Sequence, residues 1–363
     1  MSQKPRRILV LAGGQSEEHE VSLMSARAVT REAEAAGFEC TVQVVTREGG
    51  ILGPAQSRVA LAEGNASKGG THWGALATAA QACDVVFPLI HGTLGEDGTL
   101  QGFLTLLGRP FIGSQTLASA VCMDKSMAKE VLKAHSIPQT DYLTITSEQW
   151  QTTSDTMATR ITQNLAKPWF IKPANSGSSV GISRASDSKR LAQGIEEAFT
   201  YDRRIVVEAG VEKAREIEVG ILGNGRPEAS EVGEITYQAE FYDYHAKYHD
   251  NRSKIHIPAD VPTSIAERVK EMAVQAYVLL DCAGFARIDF FYQPEHQNVL
   301  LNEINTLPGF TPVSMFPSLW QAKGVSYSAL IQKLVDLALE RHRELRHARA
   351  RGPALLRVSG AYC

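Results

Sequence analysis

The chain has 363 residues, of which 44% are apolar and 21% charged, with a net charge of −3; this suits two or three hydrophobic cores in an ordinary globular composition. The charge balance gives no global reason to expect a nucleic-acid partner, and Arg341, Arg343, Arg346, Arg349 and Arg351 read as a solvated helix end and frayed terminus. Five scattered cysteines without C-x-x-C spacing, a five-residue N-terminal apolar run (8–12) and no run of membrane-spanning length argue against a disulfide framework, a signal peptide and membrane insertion, so the chain reads as cytoplasmic.

ILVLAGG (8–14) predicts a short buried strand ending in a glycine turn. A helix is expected over 16–37, with Val21, Met24, Ala28 and Ala35 on one face, Ser16 as N-cap and Gly37 as stop. CTVQVVT (40–46) adds a second strand, making a βαβ unit and hence a parallel sheet. CDVVFPLIHG (83–92) predicts a third. Ligands of open parallel sheets bind beyond the carboxyl ends of the strands, so loops 13–18 and 91–98 should face one crevice. This domain is placed at 1–121.

In a central domain, 122–215, helices over 124–135 and 187–199 flank a glycine- and serine-rich loop, 174–183. A third domain, 216–345, is β-rich, with one clear helix over 263–281 and a last helix over 327–347 carrying Leu330, Leu334, Leu337 and Leu345 on or near one face. Residues 346–363 read as a basic, disordered tail. The expected fold is α/β: an N-terminal parallel-sheet domain followed by two α+β domains.

Two stretches carry chemistry. ARIDFFY (286–292) and VLLNEINT (299–306) are strand-like runs separated by QPEHQN. Side chains alternate with period two, so Arg287, Asp289 and Phe291 share one face, as do Leu301, Glu303 and Asn305. Pairing the runs as a hairpin brings Asp289 to Glu303 and Asn305, a hard all-oxygen set suited to Mg²⁺ completed by phosphate and water. The alternative is a hydrated surface ribbon, against which Phe291, Leu301 and Ile304 weigh. In PWFIKPANSGSSVGIS (168–183), Lys172 ends an apolar strand and Gly177, Ser178, Ser179 and Gly181 form a loop whose N–H groups can cradle an anion. It is neither a Walker A loop nor a Rossmann fingerprint, and a flexible linker remains open. Lys125 opens the region in CMDKSMAK (122–129).

Together these segments resemble the ATP-grasp superfamily, and more closely the D-alanine:D-alanine ligases, from about Arg7 to Glu340. The resemblance rests on AGGQSEEHEVS (12–22), HGTLGEDGTLQG (91–102), MDK (123–125), KPANSGSSVGIS (172–183), FYDYHAKY (241–248), ARIDFFY and NEINTLPGFTPVSMFP (302–317). It implies two α+β domains clamping ATP, two Mg²⁺ ions (with Mn²⁺ as an alternative) on Asp289, Glu303 and Asn305, and phosphate contacts from Lys125, Lys172 and Ser179. Glu208 would mark the adenine hinge and Glu216 the ribose, with Asn302 and Lys247 also at the nucleotide. Glu18 would anchor the first D-alanine ammonium, within a shell of His91 and Glu96. Arg287 and the Gly309 N–H would stabilise the carbonyl oxygen of an acyl phosphate. Ser314 and the Met315 N–H would hold the second D-alanine carboxylate. Tyr248, on a covering loop with Lys247, would link through Ser178 to Glu18. The implied reaction is ATP-driven joining of two D-alanines through D-alanyl phosphate, for peptidoglycan precursors, by a homodimer. Departures are Thr93, Leu94 and His245; the last bears on the alternatives, a D-alanine:D-lactate ligase or another carboxylate–amine ligase of the superfamily. His19 with Glu17 and Glu20 lacks H-E-x-x-H spacing.

Overall fold

The structure, a computed structural model, describes residues 6–236 and 254–351. The covering-loop residues Lys247, Tyr248 and His245, and the tail beyond Arg351, lie outside the described residues.

Strand β1 (Arg7–Gly13) lies at the centre of a parallel sheet between β2 (Glu39–Val45) and β3 (Val85–Pro88). Its unbroken apolar run, Ile8 to Ala12, is buried, as a strand covered on both faces requires. Helix α1 (His19–Ala35) makes the crossover and with α2 (Pro54–Glu63) covers the Ile8 and Val10 face; α3 (Gly74–Ala82) and α4 (Thr99–Leu106) cover the Leu9 and Leu11 face, and α5 (Thr116–Met123) packs into a separate core. The third strand is four residues long, shorter than the 83–92 run: its pairing with β1 ends at Pro88, with the Leu89 N–H still donating to the Leu11 carbonyl at 2.7 Å.

Two details of α1 also differ from expectation. Ser16 is not the cap: Glu18 holds the N-cap position, and the Ser16 hydroxyl donates to the His91 carbonyl at 2.7 Å, tying the two strand-end loops together. The buried face is broad and centred on Leu23, Ala26, Val29 and Ala33, while Met24 is 41% exposed. A helix packed on both a sheet and another helix buries more than one stripe, so the 21/24/28/35 spacing was off its centre. Gly37 does follow the helix end, at φ +88°, where other residues are strained.

The central unit runs α6 (Lys125–Ala134), β4 (Tyr142–Thr146), α7 (Ser147–Asn164), β5 (Trp169–Pro173), β6 (Ser183–Ala185), α8 (Ser188–Ala198) and β7 (Arg204–Ala209). Asp124 and Asp187 cap α6 and α8 with their carboxylates. The antiparallel sheet, ordered β4-β7-β5-β6, has a core of its own around Trp169, Ile171, Ile195 and Val207.

The remainder runs β8 (Arg215–Gly223), β9 (Glu228–Thr236), β10 (Lys254–His256), α9 (Thr263–Leu279), β11 (Gly284–Gln293), β12 (Asn298–Asn305), α10 (Met315–Ala322) and α11 (Tyr327–Arg351). Its sheet, β10-β9-β8-β11-β12, packs α9 against one face through Val269, Ala273 and Tyr277. The arginines near the chain end are not all solvated. Arg341 is 8% exposed, donates to the Phe111 carbonyl at 3.0 Å and stacks over the Phe111 ring; burial brings its pKa down to about 10.

Helix α11 returns across α1, so one core joins the first sheet to the last. Leu330 and Leu334 from α11 lie in it with Ile8 and Val10, and an aromatic group of Phe87, Phe285, Phe310 and Phe316 forms its centre. The Phe285 and Phe310 rings meet edge-on at 5.5 Å. Phe285→Ala should lower the unfolding free energy by about 3–5 kcal/mol, read from urea denaturation. An unchanged midpoint would contradict a core shared by the two ends of the chain.

Candidate active site

The hairpin forms as expected: β11 and β12 are antiparallel, with Arg287 opposite Asn305 and Asp289 opposite Glu303. The face assignment needs one correction. A bulge follows Asp289 in the register, so Leu301 pairs with Phe290 and is buried in the core with Val299 and Ile304. Asn302 and Glu303 then both line the cleft. A bulge inserts one residue and shifts the alternation by one, which strict period two cannot anticipate. On the other side, β8 places Glu218 opposite Asp289 and Glu216 opposite Phe291.

Arg287 sits within this acidic face. Its Nε and Nη2 donate to the two Asp289 carboxylate oxygens, each at 2.7 Å, and Nε lies 2.8 Å from Glu218. Burial works against the guanidinium charge, yet Asp289 and Glu218 carry its pKa well above the ordinary value. Asn305 donates Nδ2 to Asp289 at 3.0 Å, leaving its carbonyl oxygen as the donor for a cation. Among the described residues no group of three or more His, Cys, Asp or Glu side chains is placed to enclose a metal ion alone. The Asp289, Glu303 and Asn305 set is open and all-oxygen, and one guanidinium faces three carboxylates. That donor chemistry fits a hard divalent cation finished by phosphate oxygens.

Across the cleft, the central sheet contributes Lys172 from the end of β5 and Glu208 from β7. Lys172 Nζ lies 2.9 Å from Glu208 Oε2, and Lys129 Nζ lies 3.4 Å from Oε1. Thr140 donates its hydroxyl to Glu208 at 3.1 Å. Burial would raise the Glu208 pKa, but the two ammonium groups and these hydrogen bonds hold it down at about 2. Lys125 donates to the Ser176 carbonyl at 2.5 Å, at the base of the glycine loop. Ser178, Ser179 and Gly181 all have positive φ, at +49°, +61° and +70°, a backbone that turns successive N–H groups inward.

These groups enclose a cavity of about 360 Å³ between the two antiparallel sheets. Lys125, Lys172, Ser179, Glu208, Glu216, Asn302 and Glu303 all line it, and Phe170, Ile182 and Phe291 supply flat apolar wall. A smaller chamber continues toward the first sheet, lined by Glu18, His91, Glu96, Ser178, Arg287 and Gly309. The Ser178 hydroxyl donates to Glu18. Glu96 accepts the Gly92 N–H at 2.6 Å; burial first, then the Glu18 charge, pushes its pKa well up.

His91 is wholly engaged by protein. Its Nδ1 lies 3.2 Å from the Leu307 carbonyl, which can only accept, so that nitrogen carries the proton. Burial lowers its pKa, leaving Nε2 to accept from the Ser25 hydroxyl at 3.2 Å, while Ser25 accepts the Phe310 N–H at 3.2 Å. This chain straps the Gly309 turn to α1. Ser314 and Met315 do not line the chamber. Ser314, at the N-terminus of α10, accepts the Thr311 N–H at 2.9 Å, and its hydroxyl would lie 2.9 Å from any Cβ added at Gly309. The Met315 side chain is buried, its amide in the first turn of α10.

Sequence reasoning missed three contributors: Glu218, Lys129 and Ser25. Two left signals. Glu218 follows Glu216 at strand spacing, and Lys129 follows Lys125 by four, on the same helix face. Ser25 left none.

Comparison with known proteins matches two family models, described as D-ala D-ala ligase N-terminus over residues 7–114 and D-ala D-ala ligase C-terminus over residues 131–336. The D-alanine–D-alanine ligase of Deinococcus radiodurans is 50% identical, covering 92% of this chain and 99% of that protein. The same-named protein of Acetivibrio thermocellus is 41% identical over 93% of this chain and 97% of its own. Among solved structures, the D-alanine-D-alanine ligase from Coxiella burnetii superposes with a TM-score of 0.78 at 31% identity, covering 95% of this chain and 98% of that one. The VanG D-Ala:D-Ser ligase from Enterococcus faecalis gives 0.79 at 32%, covering 92% and 100%.

The Glu208 cluster makes a pH prediction. Its folded pKa, about 2, lies below the ordinary 4.5, so its contribution to stability is complete above about pH 4.5 and is lost as pH falls toward 2. The difference in unfolding free energy between wild type and Glu208→Gln should therefore narrow between about pH 5 and pH 3. A gap independent of pH would contradict the assignment.

Proposed function

The chain belongs to the D-alanine–D-alanine ligase family, and from that membership we propose how its residues ligate two D-alanines for peptidoglycan synthesis. The family implies ATP and a divalent cation. The observation that carries the residue roles is continuity: Lys125, Ser176, Gly177, Ser178 and Glu303 line both the larger cavity and the smaller chamber. A nucleotide in the first would therefore present its terminal phosphate to a carboxylate in the second.

Glu208, Glu216 and Asn302 hold the adenosine end, against the Phe170, Ile182 and Phe291 walls. Lys125, Lys172, Ser179 and the loop N–H groups hold the phosphates. Glu18 takes the ammonium of the first D-alanine, with His91 and Glu96 around it. Asp289, Glu303 and the Asn305 oxygen hold Mg²⁺ (two ions, or Mn²⁺ in their place), which neutralises phosphate charge when bound. Arg287 orients the D-alanine carboxylate, one of whose oxygens attacks the γ-phosphorus as ADP departs, giving D-alanyl phosphate. Ser314 and the Met315 N–H hold the carboxylate of the second D-alanine. Its amine, having lost a proton, attacks the carbonyl carbon. Arg287 and the Gly309 N–H stabilise the oxyanion, and phosphate leaves with the former carboxylate oxygen. For Lys247 and Tyr248, which lie outside the described residues, the family membership suggests a role in covering the site, since an acyl phosphate must be kept from water.

We further propose an N-terminal unit of residues 1–121, clamp units at 122–215 and 216–345 and a tail at 346–363. We propose a cytoplasmic homodimer whose partners are D-alanine and ATP and not nucleic acid.

ADP release should require both D-alanine and Mg²⁺ and should yield the dipeptide. Glu303→Gln should lower kcat by at least about a hundredfold with an unchanged thermal melt. Retained turnover in that variant would refute the cation assignment. Equal turnover with D-lactate as acceptor would refute the dipeptide reading, and equal turnover with D-serine would refute D-alanine as the preferred second substrate.

A further inference from the structure

Glu208 is 2% exposed and holds two ammonium groups, Lys172 at 2.9 Å and Lys129 at 3.4 Å. The two lysines differ in where they can go. Lys172 lines the larger cavity and ends a strand just ahead of the glycine loop, its side chain 12% exposed. Lys129 is off the cavity lining, its side chain 4% exposed, on helix α6. It also donates to the Thr140 hydroxyl at 3.0 Å, and that hydroxyl donates to Glu208. Its backbone carbonyl accepts from Gln139 at 2.8 Å, fixing that turn of the helix. Lys129 is thus buried against Glu208 and Thr140 and set back from the cavity.

Two cations on one carboxylate leave a single positive charge in excess, and the mobile cation is the one facing the cavity. With Lys172 as the sole partner, its movement to a phosphate would strand a buried carboxylate, a large penalty. With Lys129 fixed behind it, the same movement leaves a neutral buried pair. We propose that Lys129 is a positioning residue that keeps Glu208 neutralised so that Lys172 can transfer from Glu208 to a nucleotide phosphate. This rests on the reading above that Lys172 contacts phosphate.

The test is ADP binding by isothermal titration, without D-alanine, in wild type, Lys129→Met, Glu208→Gln and the double variant. Lys129→Met should bind ADP about tenfold more weakly or worse, because Glu208 then retains Lys172. Adding Glu208→Gln should return the affinity to within about threefold of the Glu208→Gln single variant. The loss in Lys129→Met should fall on KM for ATP, with kcat at saturation within about threefold of wild type. Lys129→Gln gives the same comparison where the methionine variant is too unstable to titrate. Wild-type ADP affinity in Lys129→Met, or weakening that persists in the double variant, overturns the proposal. Lys172→Met separates the two readings. Unchanged ADP affinity there removes the phosphate contact itself, whereas weakened binding there with none in Lys129→Met overturns only the handover.

Discussion

The organising interaction is the Arg287 guanidinium held between Asp289 and Glu218 on the inner face of the last sheet. Three carboxylates drawn together by strands β8, β11 and β12 would repel one another in a buried place. The arginine makes the arrangement affordable and, by engaging Asp289 through both nitrogens, fixes the direction of the remaining oxygens. The face stays short of positive charge, which is why it fits cations and phosphate together rather than either alone. Everything else in the site is placed to meet that face.

How it is met follows from the division of cores. The first sheet and the last share one, sealed by α11 and the phenylalanine group, whereas the central sheet has its own. Glu18, His91 and Gly309 therefore keep a fixed relation to Arg287. Lys172, Glu208 and the glycine loop come from the central sheet, whose own core lies across the cavity, while α6 of the same unit sets Leu132 into the core of the last sheet and the Leu301 N–H donates to the Pro138 carbonyl at 2.8 Å. Separately cored units are free to shift unless their interface is large. The direct tie on the smaller-chamber side is polar: the Ser178 hydroxyl on Glu18.

Much of this was legible in the chain. A continuous apolar run marked β1, helices were expected over 124–135 and 187–199 where α6 and α8 form, and period two on ARIDFFY put Arg287 and Asp289 together. What escaped was non-local or irregular. The bulge that turns Leu301 inward and Asn302 outward depends on pairing with β11. Arg341 looked like a tail charge because nothing nearby in sequence reveals that Phe111 lies beneath it. Ser16 has the chemistry of a cap, but the crevice recruited its hydroxyl to His91 instead. The approach of Cys122 to Cys282, 3.7 Å between sulfurs as free thiols, joins positions far apart in the chain. Glu218 and Lys129 were recoverable from spacing alone, and in both cases the missing step was to follow a recognised residue along its own strand or helix face.

The central claim is that the acidic face and Arg287 bring the first D-alanine carboxylate onto the γ-phosphate before the second amine attacks. It is tested most directly by supplying D-alanine with ¹⁸O in its carboxylate and analysing the inorganic phosphate released. The account predicts that each phosphate carries one ¹⁸O atom for each dipeptide formed, because the bridging oxygen of the acyl phosphate leaves with phosphorus. Phosphate free of the label, alongside normal dipeptide formation, would contradict it.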